Sequence, residues 1–203
     1  MRKIKLLLVT ICAMAGATAA YSQAEMAIGI KGGLNFATLN VSQSAGANYN
    51  NRTGYHAGAF ALFKFGKIGL QPEILFSKQG TKYTFNSQDV DANFDYINIP
   101  IILKLYTVAG INLQLGPQIG FLSTAQAKST VSGVSTTTDL KSFYNNNDIS
   151  LAMGLGWDLP FGLSIEGRYN LGLKEINDGS NTNSTKNQVI MISAGYKLFK
   201  FGK

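Results

Sequence analysis

Runs of roughly ten residues alternating large apolar with small or polar side chains recur eight times along the chain. A period of two means extended strands with two unlike faces. In Ala27–Leu39, Ile28, Ile30, Leu34 and Phe36 oppose Gly29, Lys31, Gly33 and Asn35. In Ile68–Phe85, Ile68, Leu70, Ile74 and Phe76 oppose Gln71, Glu73, Ser77 and Gln79. The run near Phe94–Tyr106 sets Ile97, Ile99, Ile101, Leu103 and Leu105 against Asn98 and Lys104. Ile111–Phe121, Ile149–Trp157, Leu163–Leu173 and Val189–Leu198 repeat the pattern, whereas Gly54–Phe65 has no clear face assignment.

The connections alternate in length. Residues 66–67, 107–110 and 159–162 are tight turns; residues 40–53, 86–93, 128–148 and 174–186 are long and polar. The pattern predicts an all-β chain: an eight-stranded antiparallel up-and-down transmembrane β-barrel. The apolar face is nearly unbroken Ile, Leu and Phe, too bulky for a narrow interior. The other face is Gly, Ala, Ser, Asn and Gln with a few charges. Lipid is therefore expected against the first face and a small polar lumen behind the second. Aromatic residues are expected at the two membrane interfaces, with Tyr55, Tyr83 and Phe94 near one rim. Phe63, Phe65, Tyr106, Trp157, Phe161 and Phe199 fall near the other. Pro72, Pro100 and Pro117 lie inside strands and are expected to mark bulges.

The N-terminus changes the picture of compartment. Arg2, Lys3 and Lys5 precede a short apolar run and then small residues, the pattern of a secretory leader. Residues 1–23 are expected to be cleaved, with the cut somewhere within 19–24, leaving residues 24–203 as one barrel domain. Cleavage would remove Cys12, the only cysteine, and with it any disulfide or thiolate site. It would also take three charges from the formal +7, and the remaining charges are scattered. No nucleic-acid partner is expected. Only 14% of residues are charged, too few to coat a soluble surface of this size.

These features resemble the small outer-membrane β-barrel proteins of Bacteroidota known as the PorT family or porin family. The resemblance is carried by Ile28–Asn35, Gly54–Gly58, Leu70–Ser77, Tyr96–Lys104 and Gly195–Phe199, and it covers essentially the whole chain. It implies an integral protein of the Gram-negative outer membrane. With short turns on the periplasmic side, both termini are periplasmic and the long loops face outward. Expected partners are outer-membrane lipid, lipopolysaccharide and, during biogenesis, the barrel-assembly machinery.

Candidate chemistry is sparse. Lys31, Glu73, Lys104, Glu166 and Arg168 all fall on the inward face, where isolated charges would be costly, so an ion-pair cluster filling the lumen is expected. A proton path, pore or gate is the alternative. Ile190, Ile192, Ala194, Tyr196 and Leu198, ending by Phe199, form the outward face of the last strand and resemble an assembly signal. His56 is the only histidine and hence the only candidate base for a serine hydrolase; the sequence places it at the outer rim, with Ser77 or Ser193 as conceivable barrel neighbours. Asp89, Asp91 and Asp95 cluster in the second long loop without the spacing of a calcium loop. No cofactor, metal site or catalysis is expected. The leading expectation is a structural or interaction role exerted through the long loops; the alternatives are a narrow porin-like channel or an accessory factor in protein secretion.

Overall fold

The computed structural model describes residues 24–41, 48–85, 88–131, 134–139, 141, 147–173 and 185–202. The expected leader, residues 1–23, lies outside them, as do 42–47, 86–87 and 174–184. Among the described residues nine strands are seen: β1 (Ala24–Val41), β2 (Asn48–Phe65), β3 (Ile68–Phe85), β4 (Gln88–Tyr106), β5 (Ile111–Val131), β6 (Val134–Asp139), β7 (Asn147–Asp158), β8 (Leu163–Gly172) and β9 (Thr185–Phe201).

Eight of them close a barrel. Each pairs antiparallel with its neighbour in the order β1-β2-β3-β4-β5-β7-β8-β9, and β9 returns to β1. β6 stands outside the ring, as a hairpin partner for the far end of β5, from Gln126↔Asp139 to Val131↔Val134. The turns at 66–67, 107–110 and 159–162 lie at one end with both described termini, here the turn end; the other is the loop end. Gly110 and Gly162 take positive φ there, and Ala109 joins them at φ 53°. The Trp157 indole N–H donates to the Ala109 carbonyl at 2.9 Å and pins that turn.

The apolar face points outward. Ile30, Leu34, Ile74, Leu113, Leu155, Ile190 and Ile192 are all about half exposed on the barrel wall. A soluble fold could not present so continuous an apolar belt. The belt ends toward the loop end at Tyr55, Phe76, Ile97 and Phe121, beyond which Thr53, Lys78, Asp95 and Ser123 take over the outward positions. The strands do not stop there. A membrane crossing takes about 9–11 tilted residues, which suits β7 and β8 at 12 and 10 residues. β1 to β5 run 18–21 residues and so project past the belt.

The long strands correct three expected loops. β3 and β4 pair as far as Phe85↔Gln88, so most of 86–93 is strand, and the backbone of Asp89 and Asp91 sits in β4. Likewise 128–148 contains the end of β5 and all of β6, and β1 and β2 take up much of 40–53. Polar residues on both faces erase the alternation once a strand leaves lipid, so the sequence there looks like loop.

The prolines are a second correction. Pro72 pairs with Ile101, Pro100 with Gln118 and Pro117 with Leu151 without any change of register. Beside Pro72 and Pro100 a few ladder pairs are skipped: a missing N–H removes a donor but inserts no residue. Register shifts occur instead at Ile28/Gly29 against β9, Asn51/His56 against β3 and Asp95/Tyr96 against β5.

β2 explains its own ambiguity. Ala57, Ala59 and Ala61 line its outer face, while Phe60 and Leu62 point inward and are buried with Ala27. Gly29 makes the room: a Cβ there would collide with the Phe60 ring. Large-outside, small-inside is thus inverted on this one strand.

Candidate functional site: the barrel lumen

An eight-stranded ring leaves an interior only wide enough for side chains. The charges fill its turn-end half. Lys31 from β1, Glu73 from β3, Lys104 from β4, and Glu166 and Arg168 from β8 all point inward, and each is 4% exposed or less. The structure brings the five together. The Arg168 guanidinium grips Glu73 through two bonds, Nη1 to Oε2 at 2.9 Å and Nη2 to Oε1 at 2.6 Å, the bidentate geometry that suits arginine. Its Nη2 also meets Glu166. Lys31 Nζ donates to Glu166 Oε2 at 2.9 Å and to Glu73 Oε1 at 3.2 Å. Lys104 lies 3.6 Å from Glu166 Oε1 and donates to Asp158 Oδ1 at 3.2 Å. Neutral amides complete the packing: Gln71 donates to Glu73 at 2.6 Å, and Arg168 Nε donates to Gln114 Oε1 at 2.6 Å.

Three further charged members were missed from sequence. Asp158, at the end of β7, falls between the Ile149–Trp157 run and the 159–162 turn, yet it receives Lys104, the Tyr106 hydroxyl at 2.9 Å and, at 3.4 Å, Lys197. Glu25 and Lys197 pair at 2.9 Å across the β1–β9 seam. Lys197 continues the inward series Met191, Ser193, Gly195 and was findable by extending that alternation. The result is an unbroken chain of alternating charge from Arg168 in the lumen to Lys200, which lies 3.6 Å from Glu25 at the turn-end mouth.

The next layer toward the loop end is polar but uncharged, and it corrects the placement of His56. The imidazole is in the lumen and 1% exposed, not at the rim. Asn35 Nδ2 donates to the Tyr55 and Lys78 carbonyls and to Ser77 Oγ. That leaves its Oδ1 facing His56 Nδ1 at 2.7 Å. Nδ1 therefore carries the proton, and Nε2 accepts from the Ser193 hydroxyl at 2.8 Å. The connectivity is that of a Ser–His–Asn relay. All four are buried: Ser193 is 3% exposed, and Asn35, His56 and Ser77 less still.

Beyond this layer the filling is mixed. Phe94, Tyr96, Leu122 and Ala125 form a buried apolar cluster, Gln118 donates to Ser150 Oγ at 3.1 Å, and Asp148 on β7 is buried too. Leu75, between Glu73 and Ser77 on β3, packs with Val189 and Met191. Phe94 and Tyr106, expected at the rims, thus face inward. They sit at even-numbered positions of β4 in register with Asn98 and Lys104, and the alternation overrides their aromatic character. Tyr55, Phe65, Trp157, Phe161 and Phe199 face outward as expected.

On β9 the outward set Ile190, Ile192, Ala194, Tyr196 and Leu198 faces the membrane side. Ile28 pairs with Phe199 and Gly29 with Lys197, so Leu198 is an extra residue in a bulge. Leu198 and Phe199 therefore both point outward, and Phe201 follows them. Among the described residues no group of His, Cys, Asp or Glu is arranged to hold a metal ion. The side chains of Asp89 and Asp91 fall outside those residues.

Comparison with solved structures places the ring among small outer-membrane barrels. Neisserial surface protein A superposes with a TM-score of 0.52 at 12% identity, over 84% of this chain and 97% of that one. Ail of Yersinia pestis, solved in complex with the heparin analogue sucrose octasulfate, gives 0.48 at 17% identity, over 88% and 99%. OprG of Pseudomonas aeruginosa gives 0.45 at 14%, over 89% and 96%. At such identities the likeness concerns the fold. No curated protein matches the sequence. Residues 21–178, most of the chain, match the model of the outer membrane protein β-barrel domain. The chain belongs to that family and is an integral β-barrel protein of the bacterial outer membrane.

Proposed function

We propose that this protein is a closed, non-catalytic scaffold in the outer membrane, and that its work is done by the part of the barrel projecting past the lipid belt. The turn end and both termini then face the periplasm, and the loop end faces outward. The observation that carries the reading is the filled lumen, where charges are matched one against another and no open path is needed to satisfy them. A porin-like channel would need those charges to be hydrated instead. The enclosed Ser193 argues against hydrolysis. The narrower affiliation, to the PorT-type barrels of Bacteroidota, rests on the five sequence segments quoted above; outward contacts with lipopolysaccharide or an envelope partner follow from the projecting strands. The outward residues Ile190, Ile192, Ala194, Tyr196, Leu198 and Phe199 serve as the assembly signal.

The test is complementation of a deletion strain's envelope defect. A chain with residues 132–146 and 174–184 cut to short Gly-Ser links should insert and fold but fail to complement. Glu166→Gln should complement. The reverse outcome would move the function from the projection to the lumen.

A further inference from the structure

The turn-end mouth holds a cavity of about 430 Å³ lined by Glu25, Lys64, Tyr106, Trp157, Asp158, Lys197 and Lys200, among others. Deeper in the lumen Lys31, Lys104 and Arg168 are matched by Glu73, Glu166 and Asp158. At the mouth, Lys64, Lys197 and Lys200 face Glu25 and Asp158, and Asp158 is already shared with Lys104. Lys197 is fully engaged, at 2.9 Å from Glu25 and 3.4 Å from Asp158. The other two have capacity to spare. Among the described residues Lys64 has no carboxylate within ion-pair distance; its ammonium rests over the Tyr106 ring, 4.2 Å from the centroid. Lys200 makes one long contact, 3.6 Å to Glu25, and its side chain is 48% exposed. Both enter the cavity from strands that flank β1: Glu25 pairs with Lys64 on β2, and Ala27 with Lys200 on β9. A concave mouth with low-dielectric walls and unmatched positive charge concentrates anions.

We infer that this cavity is a phosphate-binding site in which Lys64 and Lys200 clamp the anion and Tyr106 walls it. The occupying group is either the phosphate of a phospholipid head in the adjacent leaflet or a free phosphate. Tetrahedral oxygens suit two ammonium groups arriving from separate strands, each bond being charge-assisted. Glu25 and Asp158 do not repel the ligand outright, because each is already held by two lysines.

Trp157 is the only tryptophan; it borders the cavity beside Asp158 and bonds the Ala109 turn that helps line it, so its emission reports on the site. The whole mature barrel, folded in maltoside micelles, is titrated with inorganic phosphate against chloride at matched ionic strength. A saturable change in emission specific to phosphate is expected. Lys64→Gln with Lys200→Gln should raise the half-saturating concentration by at least about tenfold, the loss of one or more charge-assisted contacts. Lys67→Gln, on the exposed turn outside the cavity, should leave it unchanged. Migration of the unheated protein on gels verifies that each variant is folded. Phosphatidylglycerol that shifts the emission itself and abolishes the phosphate response identifies the lipid head as the source; a response that survives the lipid identifies free phosphate. Equal responses to phosphate and chloride, or an unchanged titration in the folded double variant, would overturn the site.

Discussion

The two halves of the lumen solve the same problem with different chemistry. Toward the turn end, Lys31, Glu73, Lys104, Asp158, Glu166 and Arg168 fill the ring with charge matched to charge. Toward the loop end the filling is mostly neutral: the Asn35–His56–Ser193 chain, the Gln118–Ser150 pair and the apolar Phe94–Leu122 cluster, with Asp148 the one charged side chain buried there among the described residues. The difference lies in what each half loses when one member is removed. A buried charge without its partner is far costlier than a cavity or an unpaired neutral group, although the intact pair itself adds little. The charged half should therefore be the fragile one to single substitutions and the tolerant one to balanced replacement.

The largest effect belongs to Glu166→Ala or Glu73→Ala. Each strands Arg168 and Lys31 without enough carboxylate and should cost about 3–5 kcal/mol, read as an earlier urea midpoint and reduced heat resistance of the folded band, with membrane insertion intact. Unchanged midpoints in both would remove the network as a stabilising element. Leu122→Ala in the loop-end half should cost about 2 kcal/mol, the lower end for a core leucine. If it matched Glu166→Ala, the contrast between the halves would be lost. His56→Ala leaves the Asn35 carbonyl and the Ser193 hydroxyl without their partner and should cost about 1–2 kcal/mol in the same unfolding assay. Smallest is the balanced change Glu73→Leu with Arg168→Met. It removes one charge of each sign and should return to within about 1 kcal/mol of the parent, even though Glu73→Leu alone falls far below it.

Much of this contrast is legible in the order of residues along the chain. Lys31, Glu73, Lys104, Glu166 and Arg168 sit on strands where alternation is clean, so period two alone aims them at one lumen. His56 escapes because Ala57, Ala59 and Ala61 give β2 a small outer face, and the rule that large residues meet lipid points the wrong way there. Asp158 escapes because it borders the turn before Pro160, where an acidic residue looks like turn chemistry. The projection is hidden for a different reason. Beyond Phe76 and Phe121 the outward positions leave the apolar belt, so segments such as Gln88–Asn93 and Val134–Asp139 have strand pairing without a strand's hydrophobic signature. Proline misleads in the opposite sense, since Pro100 and Pro117 sit in straight register.

The proposed scaffold requires that the neutralised charge network close the lumen. The direct measurement is ionic current through the refolded mature barrel in planar bilayers at high salt. Silence is expected, and silence again for His56→Ala, whose layer lies above the charged seal. Steady single-channel steps from the unmodified chain would mean that the charged half is hydrated and open, and would contradict it.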